Sequence, residues 1–142
     1  MQGLCMNKIL IVEDEPGFQL LLKQAFEKAS FEVILASDGK QGITEAFKRH
    51  PDFILTDLIM ANMNGAMFLR HIKQIDSLSQ IPIAVLTVVP DGVPQNLEGG
   101  DLFKNIVGFW VKDQLTTKEI VEKVKESLDK QSAMVSVKDV SS

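Results

Sequence analysis

The sequence predicts an α/β fold, a doubly wound five-stranded parallel sheet of order 2-1-3-4-5. Three observations carry this. Short apolar runs alternate with longer segments of helical period, the pattern of repeated strand–helix units. The runs are apolar on both faces, as strands buried between two helical layers are. Several of them end on a charged or hydroxyl-bearing residue, and an open α/β sheet binds its ligands at the carboxyl ends of its strands.

Taken in order, Lys8 to Val12 is a compact β-branched run ended by Glu13-Asp14-Glu15-Pro16. Pro16 suits the first turn of a helix, where its missing N–H costs nothing, and an acidic residue beside it favours the positive helix end. The helix that follows places Phe18, Leu21, Leu22, Ala25, Phe26 and Ala29 on one face at i, i+3, i+4 spacing. Phe31 to Ala36 is a second strand. Asp38-Gly39 opens a helix to about Arg49, with Ile43, Ala46 and Phe47 on its apolar side, and Pro51 ends it. Phe53 to Asp57 is the third strand, and Gly65 starts a helix carrying Phe68, Leu69, Ile72 and Ile75.

Ile81 to Thr87 is the fourth strand. Val88 to Asn105 then holds Pro90, Asp91-Gly92, Pro94 and Gly99-Gly100, all turn formers. A parallel crossover needs about a dozen residues, usually with a helix. A short, irregular fourth helix is therefore expected between Gln95 and Asn105. Ile106 to Val111 is the fifth strand. Thr116-x-x-Glu119 is a capping box for a last helix that buries Ile120, Val121, Val124 and Leu128. From Gln131 the chain turns polar and Ser-rich. The expected organisation is an N-terminal extension over residues 1–7, one domain over 8–130, and a flexible tail or linker stub over 131–142.

Composition narrows the function classes. The chain has 142 residues, 45% of them hydrophobic and 24% charged, which suits one globular domain. A net charge of -4 argues against a nucleic-acid-binding surface. The single cysteine, Cys5, has no internal partner, so a reducing compartment fits better. No apolar run approaches the roughly 18 residues of a membrane span, and the N-terminus lacks a signal-peptide pattern. The expectation is a cytoplasmic protein with no membrane or nucleic-acid partner.

In the order 2-1-3-4-5 the first and third strands flank the switch point, so Glu13, Asp14 and Asp57 converge on one crevice. At a spacing of about 5 Å and an effective dielectric near 20, each like-charge pair repels by roughly 3 kcal/mol. Such a cluster shifts its pKa values or binds a cation, and hard oxygen donors favour Mg²⁺ or Ca²⁺. Acidic residues at strand ends are common and prove nothing alone. Thr87 closes the fourth strand with a hydroxyl, however, and Lys112 closes the fifth with an ammonium. A carboxylate nucleophile, a divalent cation, a hydroxyl donor and a lysine together make a phosphoryl-transfer site.

Lys-Ile-Leu-Ile-Val-Glu-Asp-Glu-Pro, then Ile-Leu-Thr-Asp-Leu-Ile-Met-x-x-Met-x-Gly, then Val-Leu-Thr, then the lysine closing the fifth strand, resembles the receiver domain of bacterial response regulators. The resemblance covers about residues 7 to 130 and implies a flavodoxin-like, CheY-like receiver of two-component signalling, either a stand-alone single-domain protein or one domain of a larger regulator or hybrid kinase. It implies that Asp57 is phosphorylated by a histidine kinase or a histidine phosphotransfer protein. It implies Mg²⁺ held by Asp14, Asp57 and the backbone carbonyl of Ile59, with Glu13 acting through water. Thr87 and Phe109 would pass the phosphorylation state to a downstream protein partner. The chain would be no enzyme beyond its own phosphoryl transfer and dephosphorylation. His50 and His71 match no functional position and are expected on helix surfaces.

Four departures bear on this. Ala61 stands where the family usually has Pro. Asp113 follows Lys112 where the family usually has a cis-linked Pro; a non-proline cis bond costs about 3–4 kcal/mol, so a trans bond is expected. The lysine then reaches the pocket by another rotamer, or reaches it poorly. Trp110 adjoins Phe109, so either neighbour, or neither, is the switch residue. The segment from Val88 to Asn105 is richer in breakers than the family's fourth helix. The alternative reading is a receiver-like interaction module independent of phosphate. Two enzyme classes fit worse. An aspartyl phosphatase of the haloacid dehalogenase type needs a second Asp where Ile59 stands, and Glu13-Asp14-Glu15-Pro16-Gly17 is no dinucleotide-binding loop.

Overall fold

The strands Lys8–Val12 (β1), Glu32–Ala36 (β2), Phe53–Asp57 (β3), Ile83–Thr87 (β4) and Ile106–Val111 (β5) pair in parallel, in the spatial order β2-β1-β3-β4-β5. This is the predicted sheet. The structure, a computed structural model, describes residues 6–57, 65–87 and 106–141. The helices among them are Pro16–Lys28 (α1), Gly39–Arg49 (α2), Gly65–Gln74 (α3) and Thr117–Ser141 (α4). The fourth helix expected between Gln95 and Asn105 lies outside the described residues, as does Ala61.

Strand alternation divides the core in two. Leu10, Val12, Ile54, Ile83 and Val85 face Ala46 of α2 and Phe68, Leu69 and Ile72 of α3. Ile9, Ile11, Phe53, Leu55 and Leu86 face Leu22 and Phe26 of α1 and Ile120, Val121 and Val124 of α4. Burying both faces is what makes β1 and β3 near-continuous apolar runs. The helix ends are fixed locally. Asp38 caps α2 by accepting the Gln41 N–H at 2.8 Å. Thr116 and Glu119 form the predicted capping box, with reciprocal bonds of 3.1 Å and 3.0 Å. His50 is not in a helix but ends α2 in a left-handed conformation with φ 46°, and Pro51 follows. His71 lies exposed on α3.

β5 breaks the alternation. Ile83 pairs with Ile106, but Ala84 pairs with Gly108, so Val107 is an extra residue in a bulge. Ile106 and Phe109 therefore pack against the same core, although an odd spacing would place them on opposite faces of a regular strand. Trp110 packs against the other core.

Three expectations change. Leu21 and Phe47 are exposed, because each sits about 100° around its helix from the buried Leu22 and Ala46 and falls beyond the covered arc. The last helix does not stop near residue 130 but continues to Ser141. That stretch holds no Gly or Pro to end it, and a polar segment without breakers extends an established helix at little cost. The strands after Ser30 and Ser79 begin slightly later than read, at Glu32 and Ile83.

Candidate functional site

The crevice lies at the carboxyl ends of β1 and β3, the two strands flanking the switch point. Glu13 follows β1 directly and is held at both ends. Its N–H donates to Ala36 O at 3.0 Å, its carbonyl accepts from Gln19 Nε2 at 3.0 Å, and its Oε2 accepts the Glu15 N–H at 3.1 Å. Glu15 is the N-cap of α1, accepting the Gly17 and Phe18 N–H groups at 3.0 Å and 2.7 Å. Asp57 closes β3, opposite Leu86 of β4. Glu13, Asp14 and Asp57 each bring a carboxylate oxygen within 4.8 Å of the others, as the topology predicts. Glu13 is buried, Asp57 nearly so, and Asp14 faces solvent.

Lys112 enters this crevice. The chain leaves β5 in a single 3₁₀ turn, Lys112–Gln114, with no cis peptide bond among the described residues. The Lys112 ammonium lies 2.7 Å from Asp57 Oδ2 and forms an ion pair with Glu13 Oε1. The lysine thus reaches the pocket without a proline after it. Its side chain is 13% exposed, so the contacts form largely out of water. Burial pushes the Glu13 carboxyl above its ordinary range, and the Lys112 hydrogen bond only partly offsets this. Burial alone would lower Lys112, but its bonds to Asp57 and Glu13 together outweigh that and hold it above its ordinary value. Among the described residues the site sets one ammonium among three carboxylates, an excess of negative charge that a hard cation would relieve.

Of the other predicted residues, Ile59 lies outside the described residues, and so does the Thr87 side chain, although the Thr87 backbone pairs with Val111. Phe109 packs against the α2–α3 core and Trp110 against the α1–α4 core, so the two neighbours point to opposite sides of the sheet. Two residues at the crevice escaped the sequence reading. Gln19 ties the ends of β1 and β2 through Glu13 O and Ala36 O, and a polar residue one turn into an amphipathic helix gives no sign of that. The helical period shows Phe18 only as part of the apolar face, yet its ring centre lies 4.8 Å from the Lys112 ammonium.

Comparison with known proteins agrees with this arrangement. The response regulator receiver domain family matches residues 9–125. Sporulation initiation phosphotransferase F of Bacillus subtilis (strain 168) is 32% identical over 96 residues, which is 68% of this chain and 77% of that protein. Hybrid signal transduction histidine kinase D of Dictyostelium discoideum is 31% identical over 116 residues, 82% of this chain but 7% of that protein. The chain therefore spans most of the first relative and a small part of the second. Among solved structures, chemotaxis protein CheY4 of Vibrio cholerae superposes with a TM-score of 0.74 at 23% identity, over 86% of this chain and 98% of that one. That likeness speaks for the fold alone.

Proposed function

Because this chain belongs to the response regulator receiver family of two-component signalling, we propose that Asp57 accepts a phosphoryl group from a histidine kinase or a histidine phosphotransfer protein. The observation that carries the reading is the Asp57 carboxylate at the end of β3, held 2.7 Å from a lysine and ringed by two further carboxylates. In the step, an Asp57 oxygen attacks phosphorus and the phosphorus–nitrogen bond to the donor imidazole breaks. The electron pair of that bond stays on the imidazole, and Asp57 becomes an acyl phosphate. Lys112 is already at the carboxylate oxygen and follows the phosphoryl charge as it arrives. Thr87, at the end of β4, is assigned the hydrogen bond to a phosphoryl oxygen, and Thr87 with Phe109 the coupling to a downstream protein partner.

The donor set fits Mg²⁺, with Asp14, Asp57 and the Ile59 carbonyl as ligands. Both Glu13 oxygens are already engaged, one by Lys112 and one by the Glu15 N–H, which suits a supporting role through water. When bound, Mg²⁺ would neutralise charge on the phosphoryl oxygens. The chain acts as a signalling module whose only reaction is its own phosphorylation and dephosphorylation. A cytoplasmic location follows from the kinases it would serve, and among the described residues no helix is long and apolar enough to cross a membrane. The phosphate-independent alternative draws on the altered Lys112-Asp113 corner and on the irregular segment after Thr87; the Lys112–Asp57 contact speaks against the first, and the second lies outside the described residues.

Incubation with acetyl phosphate and Mg²⁺, followed by intact mass, tests the reading. Wild type should gain one phosphoryl group and Asp57→Asn none. An unmodified wild type with an intact fold would sink the proposal.

A further inference from the structure

We propose that Phe18 is a positioning residue whose ring holds the Lys112 ammonium between Glu13 and Asp57. This rests on the reading that Asp57 accepts a phosphoryl group. The ring centre is 4.8 Å from Nζ, inside the ~6 Å over which an aromatic face attracts a cation. Glu13 and Asp57 take the ammonium on their sides, and the Phe18 face covers a further one. Phe18 packs at the edge of the α1–α4 core rather than at its centre. Leu22 and Phe26, further along the same helix face, are completely buried in the α1–α4 core. Phe18 is only half-buried, in the first turn of α1, next to the crevice.

A lysine needs such a wall. Its four-carbon stem is flexible, and its ammonium is a strongly hydrated point charge without the fixed fork of arginine. Without the ring, Glu13 and Asp57 would be its only partners among the described residues, and Lys112 would be free to swing toward solvent as Asp57 changes from a carboxylate to an acyl phosphate. The ring narrows that range. Phe18 is itself fixed, because the Glu15 side chain accepts the N–H groups of both Gly17 and Phe18 and locks the turn from which the ring projects. Glu15, Phe18 and Lys112 thus form one chain of placement, running from a helix cap to the reacting carboxylate.

The test compares full-length wild type, Phe18→Leu, Phe18→Met and Phe18→Tyr, with acetyl phosphate and Mg²⁺ as the probe. Leu and Met keep an apolar side chain and remove the quadrupole, whereas Tyr keeps both. The rate of Asp57 labelling should fall about threefold to tenfold in Phe18→Leu and Phe18→Met and stay near wild type in Phe18→Tyr. A second readout needs no phosphate. In proton NMR the Lys112 ε-methylene signals, assigned by their loss in Lys112→Met, should be shifted upfield by the ring current in wild type and Phe18→Tyr, and not in Phe18→Leu. Wild-type labelling rates in both Phe18→Leu and Phe18→Met overturn the proposal, as does a Phe18→Tyr protein as slow as Phe18→Leu. If wild type takes no phosphate, the functional reading fails, and the ring-current shift alone decides whether Phe18 holds the lysine: its absence in wild type overturns that.

Discussion

The Lys112 ammonium lies 2.7 Å from Asp57 Oδ2 while also pairing with Glu13, so a single cation holds two carboxylates from neighbouring strand ends. The arrangement links β5 to β1 and β3 across the mouth of the sheet. Its net effect on stability is smaller than its geometry suggests, because three partly desolvated charges offset much of their mutual attraction. Removing one member is another matter, since the remaining charges lose their compensation.

Lys112→Met should therefore destabilise the protein by about 2–3 kcal/mol without a divalent cation, somewhat below the usual cost of breaking a fully buried pair. The variant removes the Lys112 ammonium from between Glu13 and Asp57, with the Asp14 carboxylate close by. Mg²⁺ should raise the melting temperature of wild type and raise that of Lys112→Met by more, since a ligand stabilises in proportion to its preference for the folded state. Thermal unfolding in EDTA and in Mg²⁺ reads both. Equal Mg²⁺ responses in the two proteins would contradict the account.

The raised Glu13 carboxyl predicts a pH dependence of definite sign. A carboxyl with a higher pKa in the folded state binds its proton more tightly there than when unfolded, so stability falls as pH rises through the interval above its ordinary value of 4.5. Lys112, also raised, works at the other end: its contribution is complete below its ordinary 10.5 and is lost only as pH climbs through its higher folded value. In metal-free buffer, Glu13→Gln should flatten the stability profile just above pH 4.5 and also weaken the alkaline limb, because Glu13 is one of the two partners that hold Lys112 up. Urea unfolding at a series of pH values measures this, and an unchanged acid limb would count against it.

How much of this was legible in the sequence depends on how local each cause is. β1, β3 and β5 were bounded correctly because an apolar run stops at a charge in each case: Glu13, the carboxylate of Asp57 itself, and Lys112. The meeting of Glu13, Asp14 and Asp57 followed from strand order alone. Phe18 was not legible as a partner of Lys112, because its period along α1 says apolar face and nothing about a cation arriving from the far end of the sheet. Nor was the bulge at Val107, which depends on how β5 meets β4. The extension of α4 is not legible for a different reason: the stretch lacks an apolar period, whereas a helix already nucleated needs only the absence of breakers.

The capping box at the start of α4 offers an independent test away from the crevice. The Glu119 carboxylate accepts the Thr116 N–H, and that bond, with the Thr116 side-chain bond next, lowers its pKa. A carboxyl lowered in the folded state stabilises above its ordinary value and loses that contribution as pH falls through its folded value. Thr116→Ala should cost about 1 kcal/mol at neutral pH, as loss of an N-cap does. Glu119→Gln should narrow the gap between neutral and acid stability, because Gln still accepts the bond but does not titrate. Chemical denaturation at pH 7 and near pH 3 separates the two effects.

The close approach of Trp110 to Gly108 supplies an optical reporter. The two residues share one face of β5, and the indole of Trp110, the only tryptophan, lies where a side chain at Gly108 would begin. A Cβ there would meet the indole Nε1, Cε2 and Cδ1 together, so Gly108→Ala must move a ring that now packs against the α1–α4 core and carries Lys123 above it at 5.8 Å. The methyl cannot be absorbed by a small shift, because the group it meets is a rigid bicyclic ring. Gly108→Ala should lower stability by about 1–3 kcal/mol and move the Trp110 emission to longer wavelength as the ring turns toward water. Gly42→Ala gives a comparison without the reporter, since its methyl would meet Phe68 and Val12 on the opposite core. It should destabilise while leaving the emission maximum in place. A Gly108→Ala protein with the wild-type spectrum and melting temperature would show that the indole does not occupy this position.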